Sequence, residues 1–412
     1  MSLLQQRLST TFKQFVDSEK ASGIVLICCT VVSLVLANSS IGASYMSVWH
    51  RSIGGLSLEH WINDGLMTIF FLLIGLELER ELYSGELAEV KNALLPMCAA
   101  IGGMIVPALI HVGINGGTAT QAGVGIPMAT DIAFALGVLA ILGNHVPASL
   151  KVFVVAFAIM DDLGAVVVIA AFYTTHLSLW HLAGAVGVWI LLALLNRVFR
   201  VMSLVPYLLG GLLLWWLMLQ SGVHATIAGV ALAFAIPFSA KAEDEASPSH
   251  RLEQFLHKPV AFIILPIFAL ANTGIAVSAD WLNNLTSPNS VGVIAGLTLG
   301  KPVGVIVLCA VAVGSGLCRL PSDLTWREIA GAGILGGIGF TMSIFIANLA
   351  FPGDPSTTNA SKLAILVASL IAGTAGFLWL RFVGNSSEMN GPTSREDVKR
   401  SGQSPKRDRV SL

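Results

Sequence analysis

Apolar residues in this chain occur in long runs rather than at the spacing of an amphipathic helix. Residues 21–37, 92–113, 148–173 and 357–383 are each long enough to cross the hydrocarbon core of a bilayer, which needs about 20 residues. Charged, Pro-rich and Gly-rich breaks divide the chain into twelve candidate spans. These are 21–37, 59–83, 92–115, 119–142, 148–174, 179–198, 204–219, 222–238, 257–277, 290–313, 327–350 and 357–383. The pattern predicts an all-α polytopic membrane protein with about twelve transmembrane helices.

The composition supports a membrane protein and leaves no room for a soluble catalytic domain. Hydrophobic residues make up 55% of the chain and charged residues 11%, whereas a soluble domain carries about 25% charged residues. The first apolar run could be the core of a signal peptide, but Asn38-Ser39-Ser40 is a poor cleavage site, so we interpret it as the first span. The cysteines show no metal-ligand or disulfide spacing, and we interpret them as small apolar side chains. They are Cys28, Cys29, Cys98, Cys309 and Cys318.

The basic residues are distributed very unevenly between the two sides of the predicted bundle. If the N-terminus is cytoplasmic, nearly all of the 23 Lys and Arg residues fall in cytoplasmic segments. The opposite segments hold only Arg51 and Lys362, and Lys301 falls inside a span. This asymmetry is the signature of the positive-inside rule, so we expect both termini on the cytoplasmic side.

Three segments are predicted to lie outside the bundle. Residues 1–20 form a cytoplasmic N-terminal segment before a transmembrane domain of residues 21–383. Residues 43–58 contain a Gly-Gly pair that can turn a β-hairpin. Residues 384–412 mix Gly, Ser, Pro and both charge signs without apolar periodicity, which predicts a disordered cytoplasmic tail.

Four ionisable residues fall at the centres of spans. Asp161 and Asp162 are at the centre of 148–174, Asp131 is beside Thr130 at the centre of the fourth span, and Lys301 is at the centre of the tenth. A charge at mid-bilayer costs about 2.5–3.5 kcal/mol, so such residues indicate a functional site. The alternative is a structural ion pair between Lys301 and one aspartate, which explains only two of the four residues.

The two adjacent aspartates predict a site for competing ligands. Neighbours on a helix point about 100° apart, so one of Asp161 and Asp162 can pair with Lys301 while the other faces a water-filled pathway. Loss of water favours the uncharged form of a carboxyl group. Such a group can hold either a proton or a hard cation with oxygen ligands, but not both. That competition is sufficient for exchange of the two.

Two predicted spans are interrupted at their centres by helix-breaking residues. Gly125 and Pro127 break the fourth span, and Gly336, Gly337 and Gly339 break the eleventh. Paired interruptions point to a transporter built from inverted repeats, here spans 3–5 and 10–12, with its site at the breaks. If both breaks are unwound and close together, a carboxylate suits the two helix N-termini and a lysine suits the C-termini. The alternative is a pair of ordinary Gly/Pro kinks.

These segments resemble the NhaA family of bacterial sodium/proton antiporters, which has an inverted-repeat fold. The resemblance runs from about residue 10 to residue 383. The matching motifs are residues 127–135 (PMATDIAFA), 158–162 (AIMDD), 300–304 (GKPVG) and 336–343 (GGIGFTMS).

The resemblance implies a secondary active transporter, not an enzyme. Its members exchange sodium or lithium for protons electrogenically, without a cofactor, in the bacterial inner membrane. By position, Asp162 is the principal ligand of the transported cation, and Asp161 is its partner, paired with Lys301 when no cation is bound. Thr130 and Asp131 lie beside the site. The resemblance also implies crossed helix breaks and a homodimer formed through the outer hairpin; we expect no nucleic-acid partner.

Family members are switched on at alkaline pH by residues near the cytoplasmic side. Glu77 and Glu81 are i,i+4 neighbours at a helix C-terminus, where a second like charge and the helix dipole both disfavour anions. Glu253 and His224 are further candidates. Ordinary solvated or structural positions remain the alternative for all four. This chain has His250 where the family often has Lys, so its pH set-point is expected to differ.

Two other classes of membrane protein also use buried acidic residues. A cation channel has no need of a lysine that competes for the same carboxylate, or of paired broken helices. An intramembrane aspartyl protease needs aspartates on two facing helices and a Gly-x-Gly-Asp segment, which this chain lacks. A serine intramembrane protease needs Gly-x-Ser-Gly, which is also absent.

Overall fold

The structure, a computed structural model, describes residues 21–174, 177–239, 247–277, 280–321 and 323–389. The predicted N-terminal segment 1–20 lies outside the described residues, as does the predicted tail from residue 390 onward. The last helix continues to Met389, past the predicted end of the domain at residue 383.

The described chain is almost entirely helical, because helices satisfy their own backbone hydrogen bonds where water is absent. The helices are α1 (Ala21–Ala37), α2 (Gly42–Trp49), α3 (Leu58–Ser84), α4 (Val90–Asn115), α5 (Ile132–Leu142), α6 (Ala148–Phe172), α7 (Leu179–Arg197), α8 (Val205–Ser221), α9 (Ile227–Ala233), α10 (Pro248–Asn272), α11 (Trp281–Leu285), α12 (Pro288–Gly314), α13 (Trp326–Gly336), α14 (Phe340–Ala350) and α15 (Pro355–Met389). A 3-10 helix, Ala119–Met128, precedes α5. Helices α3, α10 and α12 each contain a π-helical turn, at Trp61–Leu66, Val260–Ile264 and Gly296–Gly300.

Eight described helices are long and apolar enough to cross a membrane, and up to ten spans result if each of two bent pairs counts as one. The chain is therefore a multi-pass membrane protein, as the apolar runs predicted. The predicted number of twelve spans is not reached, because α8 has only 17 residues and α9 only 7. Gly222 ends α8 in a left-handed conformation with φ 83°. The prediction of a full span at 222–238 was wrong because apolar composition indicates burial but does not require a continuous helix.

A short antiparallel hairpin of β1 (Ser52–Ile53) and β2 (Leu56–Ser57) lies within the predicted segment 43–58. Its loop residues Gly54 and Gly55 have φ values of 62° and 91°. Both values are easy for glycine and strained for other residues. Helix α2 occupies most of the segment before β1, which the Gly-Gly signal alone did not predict.

The two interrupted spans cross each other at their breaks, as the resemblance implied. Helices α13 and α14 meet at a bend of 45°, and Ala129 and Asp131 are extended between the 3-10 helix and α5. The backbone amide of Asp131 donates to Ile338 O at 2.7 Å, which links the two breaks directly. The first half of the fourth span is a 3-10 helix, not the α-helix that an apolar span predicts.

Helices α4 and α12, which begin the two predicted repeats, pack with their backbones in direct contact. A Cβ atom on Gly102 would collide with the carbonyl group of Gly304, and one on Gly304 would collide with that of Gly102. The absence of both side chains allows this close approach. The contact holds α12, which carries Lys301, directly against α4.

Candidate ion-binding site

Helix α6 carries Asp161 and Asp162 near its middle, and both side chains are completely buried. Both residues thus lie near the centre of the apolar run. Charged groups removed from water need partners or a function, so the surroundings of each carboxylate decide its role.

Asp161 is paired with Lys301, whose side chain is also completely buried. The ammonium Nζ lies 2.6 Å from Asp161 Oδ2. It also donates to the carbonyl oxygen of Met128, the last residue of the 3-10 helix. The ring of Phe157 lies beneath the same ammonium at 5.6 Å. Lys301 therefore contacts both a carboxylate and the negative end of a helix. The sequence predicted the first contact from the adjacent aspartates and the second from the helix break.

Asp162 has no such partner. Both of its carboxylate oxygens are buried and accept no hydrogen bond within the described residues. The charged groups that act on it include Asp161, Asp131, Lys301 and Glu77. A buried carboxyl group without donors is costly, and a proton or a cation would each supply the missing interaction.

Asp131 is brought to the site, but its oxygens are already occupied. It caps α5 by accepting from Phe134 N at 2.9 Å, and it accepts from Thr341 N at 3.0 Å and Thr341 Oγ1 at 2.5 Å. The carboxylate thus holds the N-termini of α5 and α14 together, which is where a negative charge is stabilised. The sequence predicted Asp131 beside the site and gave no role to Thr341, although Thr341 belongs to the Gly-rich motif.

Two hydroxyl groups fasten the crossing from either side. Thr130 Oγ1 donates to Gly336 O at 2.8 Å, and Thr130 also lies beside Asp161. Ser343 Oγ donates to Ile126 O at 2.7 Å. Ser343 was not predicted, because no local spacing relates it to a residue more than two hundred positions earlier.

The described ranges contain no cluster of three or more His, Cys, Asp and Glu residues that could hold a metal ion. A cation held by Asp161 and Asp162 would therefore need oxygen ligands of other kinds. The hydroxyl group of Thr130 and the carbonyl groups of the breaks are the neighbouring oxygens of this type.

Three of the four predicted pH-response residues come together where α3 ends and α10 begins. Arg80 Nε lies 2.9 Å from Glu253 Oε1, and Arg80 Nη2 lies 3.3 Å from Glu81 Oε1. Glu77 Oε1 lies 3.8 Å from His257 Nδ1. The bridging residues Arg80 and His257 were missed, because their roles depend on how α3 packs against α10.

His250 extends this cluster and His224 does not belong to it. His250 Nδ1 lies 4.0 Å from Glu253 Oε2, so the residue that departs from the family pattern adjoins a predicted pH-response residue. His224 Nε2 instead contacts Tyr173 O at 2.9 Å, near the end of α6. The structure thus separates His224 from the other three candidates.

A cleft of about 40 Å³ borders this cluster. It lies between α3, α5 and α10. Glu77 and His257 line one part of it, and Ile132 and Ala133, the residues after Asp131, line another. The cleft therefore lies between the ion-pair cluster and the first turn of α5.

Crossed, interrupted helices and unpaired buried charge in a multi-pass bundle define an ion-coupled membrane transporter. Over residues 13–380 the chain matches the family model described as Na+/H+ antiporter 1. It is 67% identical over 382 residues to a Dechloromonas aromatica protein named Na(+)/H(+) antiporter NhaA, covering 93% of this chain and 98% of that protein. It is 56% identical over 377 residues to Na(+)/H(+) antiporter NhaA 1 of Flavobacterium johnsoniae, covering 92% and 98%. The chain belongs to the NhaA family of Na+/H+ antiporters, which confirms the resemblance.

Proposed function

We propose that this chain exchanges sodium ions for protons at Asp161 and Asp162. The observation that carries the proposal is the buried, unpartnered carboxyl group of Asp162 beside the Asp161–Lys301 pair. A structural ion pair needs Asp161 and Lys301 only and leaves Asp162 unexplained.

Exchange follows from the limited ways in which Asp162 can be satisfied. A proton neutralises the carboxylate, and a sodium ion with oxygen ligands stabilises its charged form. Binding of the cation releases the proton to the cleft, and binding of a proton releases the cation. Asp161 joins as a second ligand when its carboxylate turns from Lys301 toward the cation.

Lithium carries the same charge and also prefers oxygen ligands, so the site accepts it as well. The exchange is electrogenic, with more protons entering than sodium ions leaving. The two carboxylates and one ammonium give the site enough ionisable groups to bind more than one proton per cycle.

Regulation by pH is assigned to the cluster at the cleft. The pair of Arg80 with Glu253 forms fully only when the Glu253 carboxyl group is ionised, and Arg80 also lies beside Glu81. Raising the pH therefore completes the network between α3 and α10. Because both helices border the cleft, a complete network favours the active shape, which gives activation at alkaline pH.

The assembly and orientation follow from the hairpin and the basic residues. Both residues of β1 are exposed, and an exposed strand edge can pair with a second copy, which supports a homodimer through the hairpin. The excess of Lys and Arg on one side supports a bacterial inner-membrane protein with cytoplasmic termini.

The test uses everted vesicles from a host without its own antiporters, with a dye that reports the pH difference. Sodium or lithium should drive protons out of vesicles containing the wild type, and the response should disappear with Asp162→Asn. The control is Asp354→Asn, which changes an exposed aspartate between α14 and α15. Wild-type exchange by a folded Asp162→Asn variant would refute the aspartate assignment, and sodium current without proton movement would indicate a channel.

A further inference from the structure

Three asparagine side chains form a chain of hydrogen bonds that links α3, α10 and α14. Asn272 Nδ2 donates to Asn63 Oδ1 at 2.9 Å, and Asn348 Nδ2 donates to Asn272 Oδ1 at 2.6 Å. Asn272 Nδ2 also donates to Phe268 O at 3.0 Å. The donors and the oxygen of the Asn272 amide are thus engaged by protein, and its side chain is 1% exposed. We name Asn63, Asn272 and Asn348 the amide clasp.

The amide clasp lies at the opposite end of the bundle from the ion-pair cluster of Arg80, Glu77, Glu81, Glu253 and His257. We call that group the Arg80 cluster. Asn63 is in the first turns of α3, close to the β1–β2 hairpin, and Asn272 is the last residue of α10. Arg80 and Glu253 lie where α3 ends and α10 begins. We call these the hairpin end and the cleft end of the bundle.

One face of α14 leads from the aspartate site to the amide clasp. Thr341, which contacts Asp131, is followed at i+4 by Phe345 and at i+7 by Asn348, and such positions share a helix face. The ring of Phe345 contacts that of Phe71 on α3, with centroids 5.7 Å apart. Between the site and the hairpin end, this face of α14 is therefore covered first by an aromatic pair and then by the amide clasp.

The amide clasp joins helices that each have further contacts of their own. Helix α14 is tied to the crossing by Thr341 and Ser343. Helix α10 is tied to α1 and α2, because Leu270 O accepts from Ser33 Oγ and Tyr45 Oη. At the same end, Glu59 on α3 interacts electrostatically with the buried Lys362 on α15.

We propose that the amide clasp is the gate that closes the aspartate site to the hairpin end, with Asn272 as its central residue. The proposal rests on the exchange proposed above, since exchange requires the site to open to each side in turn. Neutral amides suit a gate, because each bond contributes little net free energy and is readily exchanged for a bond to water. Opening the clasp moves no charge.

The test measures access to a buried thiol from the hairpin end. All five cysteines are first replaced, and Met67→Cys is introduced as the reporter. Met67 lies one turn beyond Asn63 on α3 and is completely buried. A charged, membrane-impermeant methanethiosulfonate is added on the hairpin side of oriented vesicles, and the rate of modification is compared with and without Asn272→Ala.

Asn115→Ala is the matched control. Asn115 is completely buried and bonds to Pro288 O at 3.1 Å, which links α4 with α12 without involving α3 or α10. We expect Asn272→Ala to raise the modification rate about tenfold, and Asn115→Ala to leave it unchanged. Equal rates in the two variants would overturn the proposal.

Two further variants keep the result interpretable. If Asn272→Ala fails to insert, Asn348→Ala removes a single bond at a half-buried position, and its modification rate decides the question in the same way. The measurement is repeated in an Asp162→Asn background. If Asn272→Ala raises the modification rate in this background and vesicle exchange is retained, the aspartate assignment alone is refuted. If Asn272→Ala leaves the modification rate unchanged and exchange is lost, the gate alone is refuted.

Discussion

Lys301 Nζ and Asp161 Oδ2 lie 2.6 Å apart, and neither side chain has any exposed surface. The same ammonium donates to Met128 O at the end of the 3-10 helix. One lysine on α12 thereby holds both α6 and the first helix break. Loss of this contact affects the position of Asp162 and of the crossing together.

Replacing Lys301 by Ala should lower the melting temperature in detergent. Removing one partner of a buried ion pair leaves an uncompensated charge and costs about 3–5 kcal/mol. The double variant Lys301→Ala/Asp161→Asn should recover part of the loss, since it removes the unpaired carboxylate. Melting of the single variant at the wild-type temperature would show that the pair contributes no stability.

Replacing Thr341 by Val should weaken the crossing while preserving side-chain volume. The variant removes the hydroxyl group that donates to Asp131 Oδ2 at 2.5 Å, and a hydrogen bond to a charged group contributes about 1.5–3 kcal/mol. We expect lower thermal stability together with slower exchange, because Asp131 holds the start of α5.

Thr298→Val is the matched control for that substitution. Thr298 Oγ1 bonds only within its own helix, to Ile294 O at 2.7 Å, so its loss should change stability and exchange far less. Equal effects of the two variants would show that the contact between the breaks has no special role.

The contact of Lys301 with one of the two aspartates could be predicted from sequence, but the contacts between the two breaks could not. The centre of an apolar run gives membrane depth, so Asp161, Asp162 and Lys301 were placed at one level. Gly and Pro marked both breaks for the same local reason. The bonds of Asp131 to Thr341, however, join residues that are adjacent only because two helices cross, and no spacing in the sequence encodes that.

The same limit applies to the candidates for the pH response. His224 was grouped with Glu77 and Glu253 because imidazole titrates near neutral pH, yet the fold places it beside Tyr173. Arg80 received no role, although it pairs with two of the predicted carboxylates. Side-chain chemistry suggests candidates, and only helix packing decides which of them meet.

Replacing Gly304 by Ala should destabilise the packing of the two repeats. The added methyl group would collide with the carbonyl group of Gly102 on α4, and overpacking of this kind costs about 1–3 kcal/mol. Gly314→Ala on the same helix meets open space and should be neutral. Thermal melting of the two variants checks the difference, and a stable Gly304→Ala would mean that α4 and α12 can separate freely.

Replacing Glu81 by Gln should shift the pH profile of exchange without abolishing it. The substitution removes a negative charge near Glu77 and Glu253 and leaves Arg80 to pair with Glu253 alone. Both changes favour ionisation of the Glu253 carboxyl group, so the profile should move to lower pH by about half a unit. Vesicle exchange measured from pH 6.5 to 8.5 checks the shift.

Glu89→Gln, at an exposed residue before α4, is the control and should leave the pH profile unchanged. A profile of Glu81→Gln that coincides with both the wild type and the control would mean that the Arg80 cluster does not set the response to pH.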